Sequence, residues 1–191
     1  MGRKIDLGGL AFAAALVFNQ PAAQAAELAG VSMPDTQQVD GTALRLNGIG
    51  VRTYSILAIR IYVAGFYLEH ASRDADAILA SPDPKLLMIH FIHDVGIADA
   101  RKAWQDGFEQ NCNAPCAVPQ TEIDRFLAAV KPIRAGENSS LLFTPTGVRF
   151  SMDGQPAGDV PDPAFSRLIL ATFIGRAPPT PRLKRQLLGM E

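Results

Sequence analysis

The stretch from Thr42 to Glu69, TALRLNGIGVRTYSILAIRIYVAGFYLE, decides how the rest of the chain is read. Leu44 and Leu46 lead up to Gly48-Ile49-Gly50-Val51, and after Tyr54-Ser55 the residues Leu57, Ile59, Ile61 and Val63 recur at period two. Alternation over that length predicts a long β-hairpin with one buried face. Arg60 and Tyr62 then fall on the opposite face of the second strand, because neighbouring strand residues point opposite ways. That face is expected to carry the polar groups. Gly48-x-Gly50 opens onto a strand instead of a helix N-terminus, which excludes a dinucleotide loop and marks a bulge or a close backbone approach.

Working outward from the hairpin, Asp74 to Ala80 predicts a short helix capped by Asp74, and Lys85 to Ile92 a strand apolar enough to be central. A longer helix begins near Ile97. Its residues Ile97, Ala100, Trp104, Gly107, Phe108 and Asn111 share one stripe, so Trp104 and Asn111 lie on one face. Thr121 is expected to cap a further helix with Ile123, Phe126, Leu127 and Val130 inward, ended by Pro132 and Gly136. Two strands, Ser139 to Thr144 and Val148 to Met152, join at Pro145-Thr146-Gly147, and Asp153-Gly154 marks another turn. Asp162-Pro163 opens a helix with Phe165, Leu168, Ile169 and Thr172 inward, stopped by Gly175. Thr180-Pro181 repeats the signal for a last amphipathic helix containing Leu183, Leu187 and Leu188. Grouped strands interrupted by helices that do not alternate with them imply an α+β fold, an antiparallel sheet with a layer of helices on one face.

Upstream of the hairpin, Arg3 and Lys4 precede an apolar run from Leu7 to Phe18, followed by Pro21 and by Ala23-Gln24-Ala25. A basic start, a run too short to span a bilayer and a small-x-small tripeptide are the parts of a secretory signal, so residues 1–25 read as a signal peptide and 26–191 as the domain. The mature chain is expected in the periplasm or outside the cell. Its roughly 165 residues suffice for one core that needs no metal. A net charge of −1 gives no electrostatic footprint for nucleic acid, and no later apolar run reaches the ~18 residues of a membrane span. Cys112 and Cys116, in Asn-Cys-Asn-Ala-Pro-Cys, are expected to pair in an oxidising compartment. As metal ligands they lack partners, since His70, His90 and His93 stand far off in sequence.

The sequence holds no G-x-S-x-G, H-E-x-x-H or P-loop, and nothing in it asks for a cofactor. Taken singly, Arg52 reads as a solvated strand arginine and Tyr62 as an amphipathic sheet residue. Trp104 reads as core packing, Asn111 as a helix C-terminal cap and Thr172 as a helical hydroxyl bonding its own backbone.

Their order along the chain adds to this. Leu46-Asn47-Gly48-Ile49-Gly50-Val51-Arg52, then Tyr67-Leu68-Glu69, Asn111-Cys112, Leu141-Leu142-Phe143-Thr144 with Pro145-Thr146-Gly147, and Thr172-Phe173-Ile174-Gly175 together resemble the chalcone isomerase family from about Thr42 to Leu188. With its leader, the chain looks like the exported bacterial branch. The resemblance implies the chalcone isomerase-like fold. In the plant enzymes, which close a chalcone to a flavanone, Arg52 would correspond to the guanidinium that holds the attacking phenolate, a task suited to its planar permanent charge. Asn111 and Thr172 match positions contacting the far end of the substrate. The chain departs from the enzymes where they have a threonine, here Tyr62, and a catalytic tyrosine, here Trp104. Trp104 donates one N–H and cannot replace a phenol. No lysine stands at the enzymes' lysine position, His93 being the nearest residue. The pattern is similar to the non-catalytic members, which hold a fatty-acid carboxylate with an arginine and a tyrosine. The resemblance therefore implies a protein that binds a small amphiphilic carboxylate or phenolate at Arg52, Tyr62, Trp104, Asn111 and Thr172. An intramolecular lyase or isomerase of the chalcone-flavanone type, with Arg52 catalytic, and an exported scaffold with a vestigial pocket are the alternatives.

Overall fold

The computed structural model describes residues 25–55, 57–112 and 114–191. All of the expected leader, residues 1–25, except Ala25 lies outside them, and Ala25 is the first residue of a strand. Fourteen elements follow in the order β1 (Ala25–Leu28), β2 (Val31–Pro34), β3 (Thr36–Val39), β4 (Thr42–Tyr54), β5 (Ile59–Leu68), α1 (Ala75–Ala80), β6 (Lys85–Phe91), α2 (Ile97–Asn111), α3 (Gln120–Ala129), β7 (Asn138–Thr144), β8 (Gly147–Met152), β9 (Gln155–Val160), α4 (Pro163–Ile174) and α5 (Pro181–Leu187).

Strands β3 to β9 form one antiparallel meander of seven strands in chain order, while β1 and β2 pair separately. The expected α+β architecture is what the chain adopts. Helices cover one face of the sheet, and the core lies between: Tyr62, Ala64 and Phe66 from β5, Leu87, Ile89 and Phe91 from β6, and Phe165, Ile169 and Phe173 from α4. Each leucine, isoleucine or phenylalanine among them contributes about 1.5–3 kcal/mol by leaving water. Asp162 caps α4 by accepting from Ala164 N and Phe165 N, with Pro163 in the first turn, and Thr180 caps α5 by accepting from Leu183 N. Both caps fall where the Asx-Pro and Thr-Pro signals place them.

Strand β5 departs from the expected pattern in two ways. The Tyr62 face is the helix-covered one, and Tyr62 is 4% exposed. Val63 on the other face is buried too, against Val51 and Met33 beneath the β1–β2 hairpin. A central strand buried on both faces does not show which of its alternating sets points to the main core. Leu57 and Ile59, expected inside, are exposed at the hairpin tip. The pairing of β6 with β5 reaches Phe91 opposite Tyr62, Ile92 N and His93 N still donate to Ile61 O, and beyond Ile61 no described strand pairs with the hairpin on this side.

Four strands were not signalled. β1, β2 and β3 have four residues each, and β9 is the exposed segment QPAGDV, whose Pro156 and Gly158 are tolerated because it is a sheet edge. Helix α3 starts at Gln120 after Pro119, so Thr121 lies inside its first turn and is not its cap. Ile97, at the start of α2, is exposed and does not join the inner stripe.

Candidate functional site

The glycine-rich segment of β4 is a seat for helix α5. A bulge falls between Leu46 and Gly48, and the freed Asn47 side chain donates to Ser72 O (3.0 Å) and Leu187 O (2.9 Å) and accepts from Ser72 N (2.9 Å). A methyl group at Gly48 would overlap the Gln186 carbonyl, and one at Gly50 would come within 2.9 Å of Leu183 Cδ1. Val51 N donates to Gln186 Oε1 (3.1 Å). Both readings of Gly48-x-Gly50, a bulge and a close approach, therefore hold. Docking of α5 fixes this part of β4 immediately before Arg52.

Arg52 stands directly opposite Tyr62 in the β4–β5 register, with its guanidinium carbon 5.8 Å from the centre of the phenol ring. That separation is within cation–π range. Tyr62 also makes an edge contact with Phe91, ring centroids 5.6 Å apart. Burial pushes the Tyr62 phenol above its ordinary pKa, and the nearby Arg52 charge offsets part of that rise. The phenol is accordingly a neutral donor throughout the physiological range. Arg52 itself is half-buried, and among the described residues no carboxylate forms an ion pair with it.

Trp104 lies on the inner face of α2 within a cluster of rings, 5.7 Å from Phe108, 5.1 Å from Phe126 and 5.8 Å from Phe173. It packs against the same core as Tyr62. Asn111, in the last turn of α2, donates to Gly107 O and to Ala177 O, both at 2.9 Å, and accepts from Ala177 N at 3.1 Å. It ties the end of α2 to the α4–α5 connection. Thr172 donates to Ile169 O at 2.7 Å, and its methyl faces Gly107, where a Cβ would meet it at 3.1 Å. Arg52 and Tyr62 are thus brought together, and Trp104 joins their core. The polar atoms of Asn111 and Thr172 are engaged with backbone, as the residues read singly suggest.

Cys112, the C-cap of α2, is joined to Cys116 in a disulfide, with Cα atoms 5.4 Å apart. Arg176 adds to this end by donating to Gln110 O and Cys112 O, carbonyls that a helix C-terminus leaves unpaired. His93 is exposed beside Asp94, and its backbone N donates to Ile61 O at 3.2 Å. Sequence reasoning did not single out Phe91 and Phe126 as neighbours of the site. Phe91 was legible as the residue of β6 on the Leu87–Ile89 face, and Phe126 only as an inward residue of α3.

Two clefts lie elsewhere. One, of about 400 Å³, is bordered by Asp40, Arg149 and Asp159, and the other, of about 220 Å³, lies on the outer sheet face between Met33, Met88, His90, Ser140 and Ser151. Neither includes Arg52, Tyr62, Trp104, Asn111 or Thr172.

Comparison with known proteins agrees with this fold. No curated protein matches the chain. A solved structure, the fatty-acid binding protein of Arabidopsis thaliana, superposes with a TM-score of 0.71 at 17% identity, over 87% of this chain and 96% of that one. At that identity the likeness speaks for the fold. The family model described as chalcone isomerase-like matches residues 25–189, nearly the whole described chain. The chain therefore belongs to the chalcone isomerase-like family.

Proposed function

We propose that this protein is a non-catalytic carrier of a small amphiphilic carboxylate or phenolate, a fatty acid being the best fit, with Arg52 and Tyr62 as the polar end of its site. The observation that carries the reading is a half-buried arginine with no acidic partner among the described residues, facing a buried neutral phenol across two paired strands. A guanidinium fork and a hydroxyl donor match the two oxygens of a carboxylate. The fatty-acid binding protein that shares the fold supports the same class of ligand. Trp104, with an indole N–H and no phenol, argues against the chalcone cyclisation of the plant enzymes.

In this reading the ligand tail runs along the aromatic cluster of α2 and α3, where Trp104 and Phe126, in contact with each other and only partly buried, would have to part to admit it. Asn111 and Thr172 line the far end through their packing, since their polar atoms are already bonded. We infer further that residues 1–25 are a signal peptide, 26–191 the exported domain, and the periplasm or the exterior its location. The basic start, the apolar run and the Cys112–Cys116 disulfide support this.

The test is titration of the purified protein with a fluorescent fatty acid. A charge-assisted arginine contact is worth roughly 1.5–3 kcal/mol, so Arg52→Ala is expected to weaken binding by one to two decades with the fold intact. Arg52→Lys should recover only part of that loss. Unchanged affinity in folded Arg52→Ala would overturn the reading, as would a chalcone cyclisation rate that depends on Arg52.

A further inference from the structure

Among the described residues five large hydrophobic side chains stand exposed, and three of them crowd one place: Tyr54 at 64%, Leu57 at 76% and Ile59 at 40%, all at the tip of the β4–β5 hairpin. A fourth, Ile97 at 40%, begins α2. Ala58 N donates to Ser55 O at 3.1 Å at this tip. The tip projects past the edge that β6 covers, since ladder pairing with β6 ends at Tyr62 and the last backbone hydrogen bonds from that side reach Ile61.

The hairpin's own charges near the tip have one sign. Toward the tip it carries Arg52 and Arg60, Arg45 standing at the far end opposite Leu68, and from Thr42 to Leu68 it has no aspartate or glutamate. Arg60 is exposed and, among the described residues, paired with no carboxylate. An apolar tip set among unpaired arginines matches an anionic lipid surface, whose acyl boundary receives Leu57 and Ile59, whose interface suits a tyrosine, and whose phosphates attract guanidinium groups. A projecting tip of three side chains is too small for a stable protein interface, which needs about 800 Å² from each partner.

We propose that the β4–β5 tip docks this protein on anionic membranes, placing the Arg52–Tyr62 pair immediately behind the point of contact so that an amphiphilic acid passes between bilayer and site. The transfer step rests on the ligand reading above, whereas the docking itself does not.

Vesicle flotation of the mature protein tests it, comparing phosphatidylcholine alone with a mixture containing phosphatidylglycerol, alongside fluorescent fatty-acid titration in vesicle-free buffer. The expected result is at least tenfold stronger partition onto the anionic vesicles. Leu57→Asp and Arg60→Glu should each lower that partition tenfold or more, with unchanged melting temperature and unchanged soluble affinity, while Lys131→Glu, after α3, changes neither. Equal partition onto both lipids, or Leu57→Asp floating like the wild type, would overturn the docking. So would a dimer in solution that Leu57→Asp dissolves. Fatty-acid binding without flotation refutes the docking alone, and flotation without fatty-acid binding refutes the ligand reading alone.

Discussion

Replacing Gly48 by alanine tests whether the β4–α5 contact sets the site. The added methyl would overlap Gln186 O and lie 2.7 Å from Leu187 O, both backbone atoms of α5 that no rotamer change can move. Carbon–oxygen contact of ordinary length requires the helix to retreat by roughly 1 Å. That retreat strains two hydrogen bonds, Asn47 Nδ2 to Leu187 O and Val51 N to Gln186 Oε1, each worth about 1 kcal/mol. It also loosens Leu183 and Leu187, both fully buried, where full exposure would cost about 1.5–3 kcal/mol apiece. A partial retreat therefore costs on the order of 3 kcal/mol. For a domain of about 165 residues this lowers the melting temperature by roughly 6–12 °C. Circular dichroism melts measure the loss, and the same preparation should bind a fluorescent fatty acid less tightly, because Arg52 follows the displaced segment. A Gly48→Ala protein that melts within about 2 °C of the wild type would refute the seat argument, and one that melts low but binds normally would uncouple α5 from the site.

Tyr67 is fully buried on the outer face beside Leu44 and Leu86, and its hydroxyl closes no hydrogen bond, although Gln37 lies near. Burial raises its pKa to about 12, above the unfolded value near 10, so its contribution to stability is complete below pH 10 and is lost as pH rises toward 12. Tyr67→Phe should flatten the urea-unfolding profile across that alkaline window and, at neutral pH, match or exceed wild-type stability by up to about 1 kcal/mol; a loss at neutral pH would show a hydroxyl partner. Paired replacement of Cys112 and Cys116 by serine should cost about 2 kcal/mol by loop-closure entropy while the domain still folds cooperatively, with calorimetry as the check; loss of the cooperative transition would contradict this. Asn111→Ala deletes three hydrogen bonds and should cost roughly 2–3 kcal/mol, yet the folded protein should bind the fluorescent fatty acid within threefold of the wild type. A tenfold loss would place its amide on the ligand instead.

How much of this was legible varies along the chain, for reasons that lie in range. The long hairpin, β6, α2, α4 and α5 are set by periodicity and by caps such as Asp74, Asp162 and Thr180, signals that act within a few residues. The edge strand β9 carried no such signal, because an exposed QPAGDV forms a strand only when β8 offers it a ladder. Arg52 and Tyr62 were legible as candidates, and their pairing followed once the hairpin was drawn. The aromatic surroundings of Trp104 were not, since Phe126 and Phe173 reach it from helices distant in sequence.

By itself the sequence determined the α+β class, the main helices, the hairpin and the local pairing of Cys112 with Cys116, all products of near-neighbour chemistry. Only the tertiary structure decided which face of β5 meets the helices, that Gly48 and Gly50 make room for α5, that Asn111 and Thr172 spend their polar atoms on backbone, and that Leu57 and Ile59 stand in solvent. Those outcomes depend on what packs against each residue from far along the chain, and alternation of apolar and polar residues records that a side chain is buried without recording by what.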